Sequence, residues 1–393
     1  MIQAMDSGET RYCRAALEKD DPKRTLGYVQ IFNALQKVKE YNHEAFLLSM
    51  AKKGLNAGLD VKKTRIRTRL ITLLAKLHEE RRGVNDPARM LREAQVYLDL
   101  GLPKEAIKSA LSGLDQATAQ EELTLEVQLR ELLREAMKGV EVNSAFNQAI
   151  PNQYGLDIAS KKLSTLIEYE LIRDKVLMLI KDKDIDSNAV FKGGMEGLMH
   201  TDKMQNVLEA DSISAQMAYY TTWCMYHNSL GELNKAIEDQ QKIISLWNRN
   251  SHKKERYPHY YRRCLANLIG LLCRARRHDE VPFYLNMITE IENEGRRAEI
   301  QQFCDVELQH QMFYMNMGQL DNLLDRESTV MEGLGKFGRH LPQDFSITLR
   351  LNLGLCHLLM DDYIEAAKHF EYIKQMGSSV LRPDLQAVAV IIR

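Results

Sequence analysis

The chain has 393 residues, of which 45% are hydrophobic and 27% charged, a composition typical of a folded protein with a real core and unlike that of a disordered chain. Glycine (21 residues) and proline (8) are sparse, which argues against folds rich in hairpins and crossovers because these need many turn positions. The net charge of −1 excludes a global field that would attract nucleic acid or an acidic membrane surface.

Residues 1–85 predict an N-terminal region of three or four helices. Its apolar residues recur at spacings of three and four, which places them on one helical face: Tyr28, Ile31, Phe32, Leu35 and Val38, then Ile66, Leu70, Leu73, Leu74 and Leu77. The polar start of the chain has no signal-like apolar segment, and no stretch of about 18 uncharged apolar residues follows. We therefore expect a cytoplasmic protein without a membrane span.

Residues 86–393 predict a series of helix pairs, beginning where Asp86 and Pro87 start a helix. Ala94, Tyr97, Gly101, Ala106, Ala110 and Gly113 combine small residues, an aromatic and a turn residue, as a tetratricopeptide unit requires. Similar patterns lead to Ala236, Val281, Leu323 and Ala366, which are 45, 42 and 43 residues apart. A standard unit has about 34 residues. The fold class predicted is therefore all-α, a right-handed solenoid of long helix pairs.

Two segments and the end of the chain depart from this pattern. The composition of residues 139–160 and of residues 183–200, the latter with Gly193, Gly194 and Gly197, predicts irregular connections. The last residues include Val388, Val390, Ile391 and Ile392, an apolar end where solenoids normally have a polar cap. We expect either a homodimer through this C-terminal helix or a longer native protein that covers it.

With the repeats in view, the chain resembles the tetratricopeptide-repeat superfamily. It is also similar to long helical-repeat proteins of unassigned function from Bacteroidetes-type bacteria, through Tyr28-Val-Gln-Ile-Phe, Tyr41-Asn-His-Glu-Ala, Tyr97-Leu-Asp-Leu-Gly and Arg382-Pro-Asp-Leu-Gln. The resemblance implies the solenoid fold and a continuation beyond residue 393, but no activity. The basic carboxylate clamp of eukaryotic cochaperone repeats is not complete in this sequence.

The sequence predicts no enzyme, because nucleotide-binding glycine loops, HExxH and GxSxG are absent from it. It likewise predicts no cofactor and no metal site, since His252 and His259 lack further ligands at a suitable spacing. His227 and His357 occupy the helix-interface position of Tyr97, so packing is the preferred interpretation of both. The six cysteines form no CxxC pair and are expected to be buried free thiols.

The strongest local charge signal is a basic patch interleaved with tyrosines. Its members are Arg249, Lys253, Lys254, Arg256, Arg262, Arg263, Arg274, Arg276 and Arg277. An acidic protein or peptide partner, a nucleic acid or a solvated surface without a partner would each account for it, and nucleic acid is the less favoured partner. A second basic stretch, Lys62, Lys63, Arg65, Arg67 and Arg69, lies in the N-terminal region.

Candidate groove residues follow from the repeat pattern, because the first helix of each pair lines the concave face of such a solenoid. This reasoning selects Thr222, Arg263, Asn267 and Asn352. Polar side chains at these points can hydrogen-bond the backbone of an extended peptide. The leading hypothesis is therefore a non-enzymatic scaffold that binds a protein or peptide in its groove. The alternative is a peptide-sensing regulator whose N-terminal helices bind nucleic acid.

Overall fold

Helices make up all the regular secondary structure of the described residues in the computed structural model. These residues are 2, 5–21, 27–38, 41–81, 86–139, 144–181, 188–292 and 295–375, and no strand occurs among them. The chain divides into two units, Met1–Met90 and Leu91–Arg393. None of the helices in the described ranges is long and apolar enough to span a membrane.

The first unit contains helices α1 Ser7–Asp20, α2 Tyr28–Lys37, α3 His43–Ala51 and α4 Leu59–Arg81. A capping box starts α1, in which Asp6 and Glu9 each accept a hydrogen bond from the other's backbone N–H. The predicted apolar faces of α2 and α4 supply buried core residues, among them Ile31, Phe32, Ile66 and Leu70. The helical spacing of apolar residues therefore predicted correctly which faces of α2 and α4 contribute to the core of this unit.

The boundary between the units falls inside α5 Pro87–Asp99, which begins at the predicted proline. The helices that follow in the second unit are α6 Pro103–Ala119, α7 Leu123–Met137, α8 Ser144–Lys181, α9 Asn188–Met199, α10 Asp202–Gln205, α11 Ile213–Ser229, α12 Leu233–Arg249, α13 Ser251–Arg256, α14 Pro258–Arg274, α15 Val281–Thr289, α16 Arg296–Met317, α17 Leu320–Leu324, α18 Glu327–Phe337, α19 Gln343–Leu359 and α20 Tyr363–Gln375.

Helices of the second unit pack in chain order. Helix α6 packs on α7, α7 on α8, α8 on α11 and α11 on α12, and the order continues through α14, α16, α19 and α20. The buried apolar residues accordingly form successive clusters between neighbouring helices, such as those around Leu114, Leu268 and Ile347. Each helix pair thus buries its apolar face against the next pair, as the periodic pattern predicted.

Six helix ends in the described part of the second unit share one turn. The first residue of this turn has a left-handed backbone conformation, with φ between 52° and 76°. The backbone N–H of the following residue donates a hydrogen bond of 2.8–2.9 Å to the carbonyl of the residue five positions before it. The left-handed residues are Gly101, Glu121, Gly231, Arg276, Gly318 and Asp361. Five residues after each lies a buried residue, respectively Ala106, Glu126, Ala236, Val281, Leu323 and Ala366. The turn therefore defines equivalent positions in the helix pairs.

Both predicted irregular connections are wrong where the structure describes them. Residues 144–160 belong to α8 although they include Pro151, and the glycines of residues 188–199 lie within α9. Tertiary packing explains α8, which contacts both α7 and α11. Gly155 faces the Arg130 guanidinium of α7 so closely that a Cβ atom would collide with it. The glycine that suggested a loop therefore lies inside a helix, beside the end of a flexible side chain of α7.

All six cysteines are free thiols, five of them buried and Cys264 half-buried. Burial raises the pKa of Cys224 and Cys304 to about 12. The apolar C-terminal segment, residues 376–393, lies outside the described residues. The homodimer expected through this segment therefore stays a prediction.

Candidate functional site

A groove of about 980 Å³ runs across the second unit. Its walls come from α8, α11, α12, α14 and α16. Each of three helices presents side chains at spacings of three, four or seven, so that one face of each is turned to the groove. These side chains are Thr221, Met225 and Asn228 of α11, Arg263, Asn267 and Arg274 of α14, and Gln309, Met312 and Asn316 of α16.

The charged lining of the groove is mainly positive. Arg173 is held by Glu170 at 3.5 Å and by its neighbour Asp174 at 3.0 Å. Arg274 donates to the Asn228 side-chain oxygen at 2.7 Å. Arg263 is exposed and forms no hydrogen bond or ion pair with the described residues. Its guanidinium is therefore available to an external carboxylate.

Amide side chains lie beside this arginine. Asn267 is exposed one helical turn after Arg263, and no hydrogen bond ties it to the described part of the chain. Gln309 presents a buried side-chain oxygen that has no hydrogen-bond donor among the described residues. Because a buried acceptor without a donor costs free energy, a donor that reached this oxygen after a side-chain movement would relieve the cost.

Methionines supply much of the apolar surface between these polar groups. Met217, Met225 and Met312 are partly exposed in the groove, together with Leu177 and Tyr260. Methionine side chains are flexible and polarisable and adapt to varied apolar partners. The groove therefore combines fixed polar contacts with an apolar surface that tolerates different side chains.

Two of the four predicted groove residues lie in this groove and two do not. Arg263 and Asn267 are in its wall. Thr222 is completely buried, and its hydroxyl donates to the Ala218 carbonyl at 2.7 Å. It lies about 100° around α11 from the lining residue Thr221. Asn352 is half-buried and donates to the Gln311 side-chain oxygen at 3.0 Å. Thr222 and Asn352 therefore do not line the groove, contrary to the prediction.

Gln309 is one of the groove residues that sequence reasoning missed. It precedes the left-handed Gly318 by nine residues, as Asn267 precedes Arg276. The spacing is therefore the same in both repeats, but few other residues of the repeat pattern mark the one that contains Gly318.

The basic patch does not form one exposed surface. Lys253 is buried and lies 3.0 Å from Glu121, and Arg256 lies 3.4 Å from Glu122. Both acids belong to the turn between α6 and α7. These contacts fasten α13 to a distant helix pair, so much of the positive charge is neutralised within the protein.

Other members of the patch are divided among several surroundings. Arg262 is 1% exposed and lies 3.6 Å from Asp305; burial lowers the pKa of Arg262 and raises that of Asp305. Arg277 pairs with Glu280 at 2.5 Å, and the Lys254 ammonium lies over the Tyr261 ring. Arg249 and Arg276 are exposed outside the groove. Arg263 and Arg274 remain as the members that line it.

In the first unit, the basic stretch of α4 is also partly paired. Lys63 lies 2.8 Å from Asp60, and Arg69 donates to Asp20 at 2.7 and 3.0 Å. Lys62, Arg65 and Arg67 remain as potential phosphate contacts.

His227 packs between two helices, as predicted. Its ring stacks on Trp223, with centroids 5.2 Å apart, and its Nδ1 lies 2.9 Å from Asp239 of α12. His357 occupies the equivalent position in the last pair, but there it meets a second histidine and a glutamate, Glu327.

Comparison with known proteins assigns no family to this chain, which is described by its structure as all-helical with packed helix pairs. No protein-family model matches the sequence, and no curated protein is significantly similar to it.

Proposed function

We propose that the second unit is a right-handed solenoid of tetratricopeptide type, and that the protein is a non-enzymatic, cytoplasmic scaffold. Its partner is an extended peptide segment of another protein, bound in the groove between α8, α11, α14 and α16. The recurrence of one turn at six helix ends supports the repeat assignment, because it gives every pair the same internal numbering.

One observation carries the binding proposal. Arg263, Asn267 and Gln309 lie in one groove wall, and each has hydrogen-bonding capacity that the described residues leave unused. Amides that bind the backbone of an extended chain give affinity without strict sequence choice, and the methionines accommodate varied side chains. Arg263 adds a preference for a carboxylate. The favoured ligand is therefore an extended peptide with acidic and apolar residues.

Selection from a displayed library of random linear peptides tests this function. We expect the wild-type protein to enrich peptides with Asp or Glu beside apolar residues. The double variant Asn267→Ala, Gln309→Ala should bind the recovered peptides at least about tenfold more weakly, which corresponds to about 1.4 kcal/mol.

Asn352→Ala is the matched control, since it removes an equivalent amide outside the groove. Its affinity for the recovered peptides should equal that of the wild type. Failure to enrich any peptide, or equal weakening by Asn352→Ala and the groove variant, would contradict the proposal.

A further inference from the structure

Three metal-ligating side chains converge near the last helix pair. Glu327 begins α18, His357 lies in the last turn of α19, and His369 lies in α20. The two Glu327 carboxylate oxygens face one imidazole each, at 3.0 Å from His357 Nε2 and 3.1 Å from His369 Nε2. One donor atom of each residue lies within 4.8 Å of those of the other two.

The spacing of these atoms is close to that of a metal site. Ligand atoms about 2.0–2.2 Å from a tetrahedral Zn²⁺ are about 3.3 Å apart. The two observed distances to Glu327, each to a different carboxylate oxygen, are a few tenths of an ångström shorter, and one donor atom from each residue lies within 4.8 Å of the other two. Small side-chain movements would therefore admit an ion. Both imidazoles are buried, at 5% and 3% exposure, whereas the Glu327 side chain is 28% exposed. An ion can therefore enter from the glutamate side.

A second carboxylate lies beside the other ring nitrogen of His357. Asp362 Oδ2 is 3.3 Å from His357 Nδ1, an ion-pair distance without the geometry of a hydrogen bond, and the other Asp362 oxygen accepts the Glu365 backbone N–H of α20. Metal-bound histidines usually have such a carboxylate on the ring nitrogen that does not bind the ion, because it fixes the ring orientation. The neighbouring Cys356 thiol points to the Leu320 carbonyl instead, so the donors are two nitrogens and a carboxylate.

The equivalent place in an earlier pair lacks the second histidine. His227 and His357 each precede a left-handed turn residue by four, and Asp239 and His369 each follow it by eight. His227 therefore meets an aspartate where His357 meets an imidazole. At this position the last pair has His369 where the earlier pair has Asp239, and the histidine adds a nitrogen ligand.

We propose that Glu327, His357 and His369 bind a divalent first-row transition-metal ion such as Zn²⁺, with an open fourth position. Two imidazoles and a carboxylate are donors that suit this class of ion. The ion joins α18 to the last helix pair and stabilises the folded state by its binding free energy.

Isothermal titration of the chelator-treated full chain with Zn²⁺ alone tests the site. The wild type should bind one ion per chain and melt at a higher temperature with Zn²⁺ than with EDTA. Glu327→Gln and His369→Gln should lose both effects, and Asp362→Asn should weaken binding about 10- to 100-fold. His227→Gln, at the equivalent position, should bind as the wild type does.

Circular dichroism in EDTA shows whether each variant folds. If the ligand variants do not, the absorption spectrum of Co²⁺ bound to the wild type decides, because nitrogen and oxygen ligands give d–d bands without thiolate charge-transfer bands. Absence of Zn²⁺ binding by the wild type, undiminished binding by both ligand variants, or thiolate bands would overturn the proposal.

Discussion

At the scale of single residues, the left-handed turns show where local conformation costs stability. Glycine occupies this position at residues 101, 231 and 318, but Glu121, Arg276 and Asp361 hold the same conformation with a Cβ atom. Left-handed φ is unfavourable for residues other than glycine by about 1–2 kcal/mol. Three of the six turns are therefore strained relative to the others.

Arg276→Gly should raise the free energy of unfolding by about 0.5–1 kcal/mol, because the relieved strain outweighs the added freedom of the unfolded chain. Gly231→Ala should lower it by about 1 kcal/mol, although nothing lies within 4 Å of the added Cβ. Urea unfolding measures both changes. The same sign for both would show that the turn conformation does not limit stability.

His310 should make stability depend on pH. Burial, and secondarily Arg326, lowers the pKa of His310 from 6.5 to about 4. Between these values the unfolded chain binds more protons, so the free energy of unfolding falls as the pH drops from 6.5 towards 4. The loss attributable to His310 is up to about 3 kcal/mol.

His310→Gln should remove that part of the loss. Denaturant unfolding of both proteins between pH 7 and pH 4 compares them, and the variant should have the shallower decline. Parallel declines would exclude His310 as the titrating group.

At the scale of elements, close helix crossings depend on glycine. A Cβ at Gly354 of α19 would lie 2.7 Å from the Phe370 ring and 3.2 Å from His369 Cβ of α20. Gly354→Ala should therefore lower the free energy of unfolding by about 1–3 kcal/mol through overpacking.

Gly335→Ala is the matched helical control. Nothing lies within 4 Å of a Cβ at that exposed position of α18, and alanine should raise helix stability by about 0.5–1 kcal/mol. Thermal unfolding of the two variants should give shifts of opposite direction. A Gly354→Ala protein as stable as the wild type would show that the α19–α20 crossing is loosely packed.

The sequence predicted those elements whose boundaries have local chemical causes. Pro87 started α5, and Gly101 marked a turn. Glu121 could not be identified as a turn residue, because a glutamate carries no sequence signal for the left-handed conformation that it adopts. Residues 144–160 read as a loop because Pro151 and Gly155 are typical of loops, whereas the packing of α8 against α7 and α11 exists only in the folded structure.

The same distinction between local sequence signals and tertiary packing applies to the candidate sites. Repeat numbering located Arg263 and Asn267, but it could not distinguish the groove position Thr221 from the buried Thr222, which depends on the rotation of α11. The meeting of Glu327 with His357 and His369 joins three helices and has no local sequence signature.

At the scale of the whole molecule, the distribution of charge matters more than its sum. Acidic partners from helices distant in the sequence neutralise much of the basic patch, whereas the exposed Arg263 forms no hydrogen bond or ion pair with the described residues. The alternative regulatory function, with nucleic acid bound by α4, stays a prediction. Because phosphate contacts make affinity fall steeply with salt, electrophoretic shifts at several salt concentrations test it.

We propose that the groove, rather than the net charge of the protein, recognises an acidic peptide. Fluorescence anisotropy of a library-selected peptide should compare the wild type with Arg263→Glu and Arg249→Glu, which change the net charge equally. Arg249 is exposed and lies outside the groove. We predict that Arg263→Glu weakens binding at least about tenfold, while Arg249→Glu leaves it within about twofold. Equal weakening by the two variants, or full affinity in Arg263→Glu, would contradict the claim.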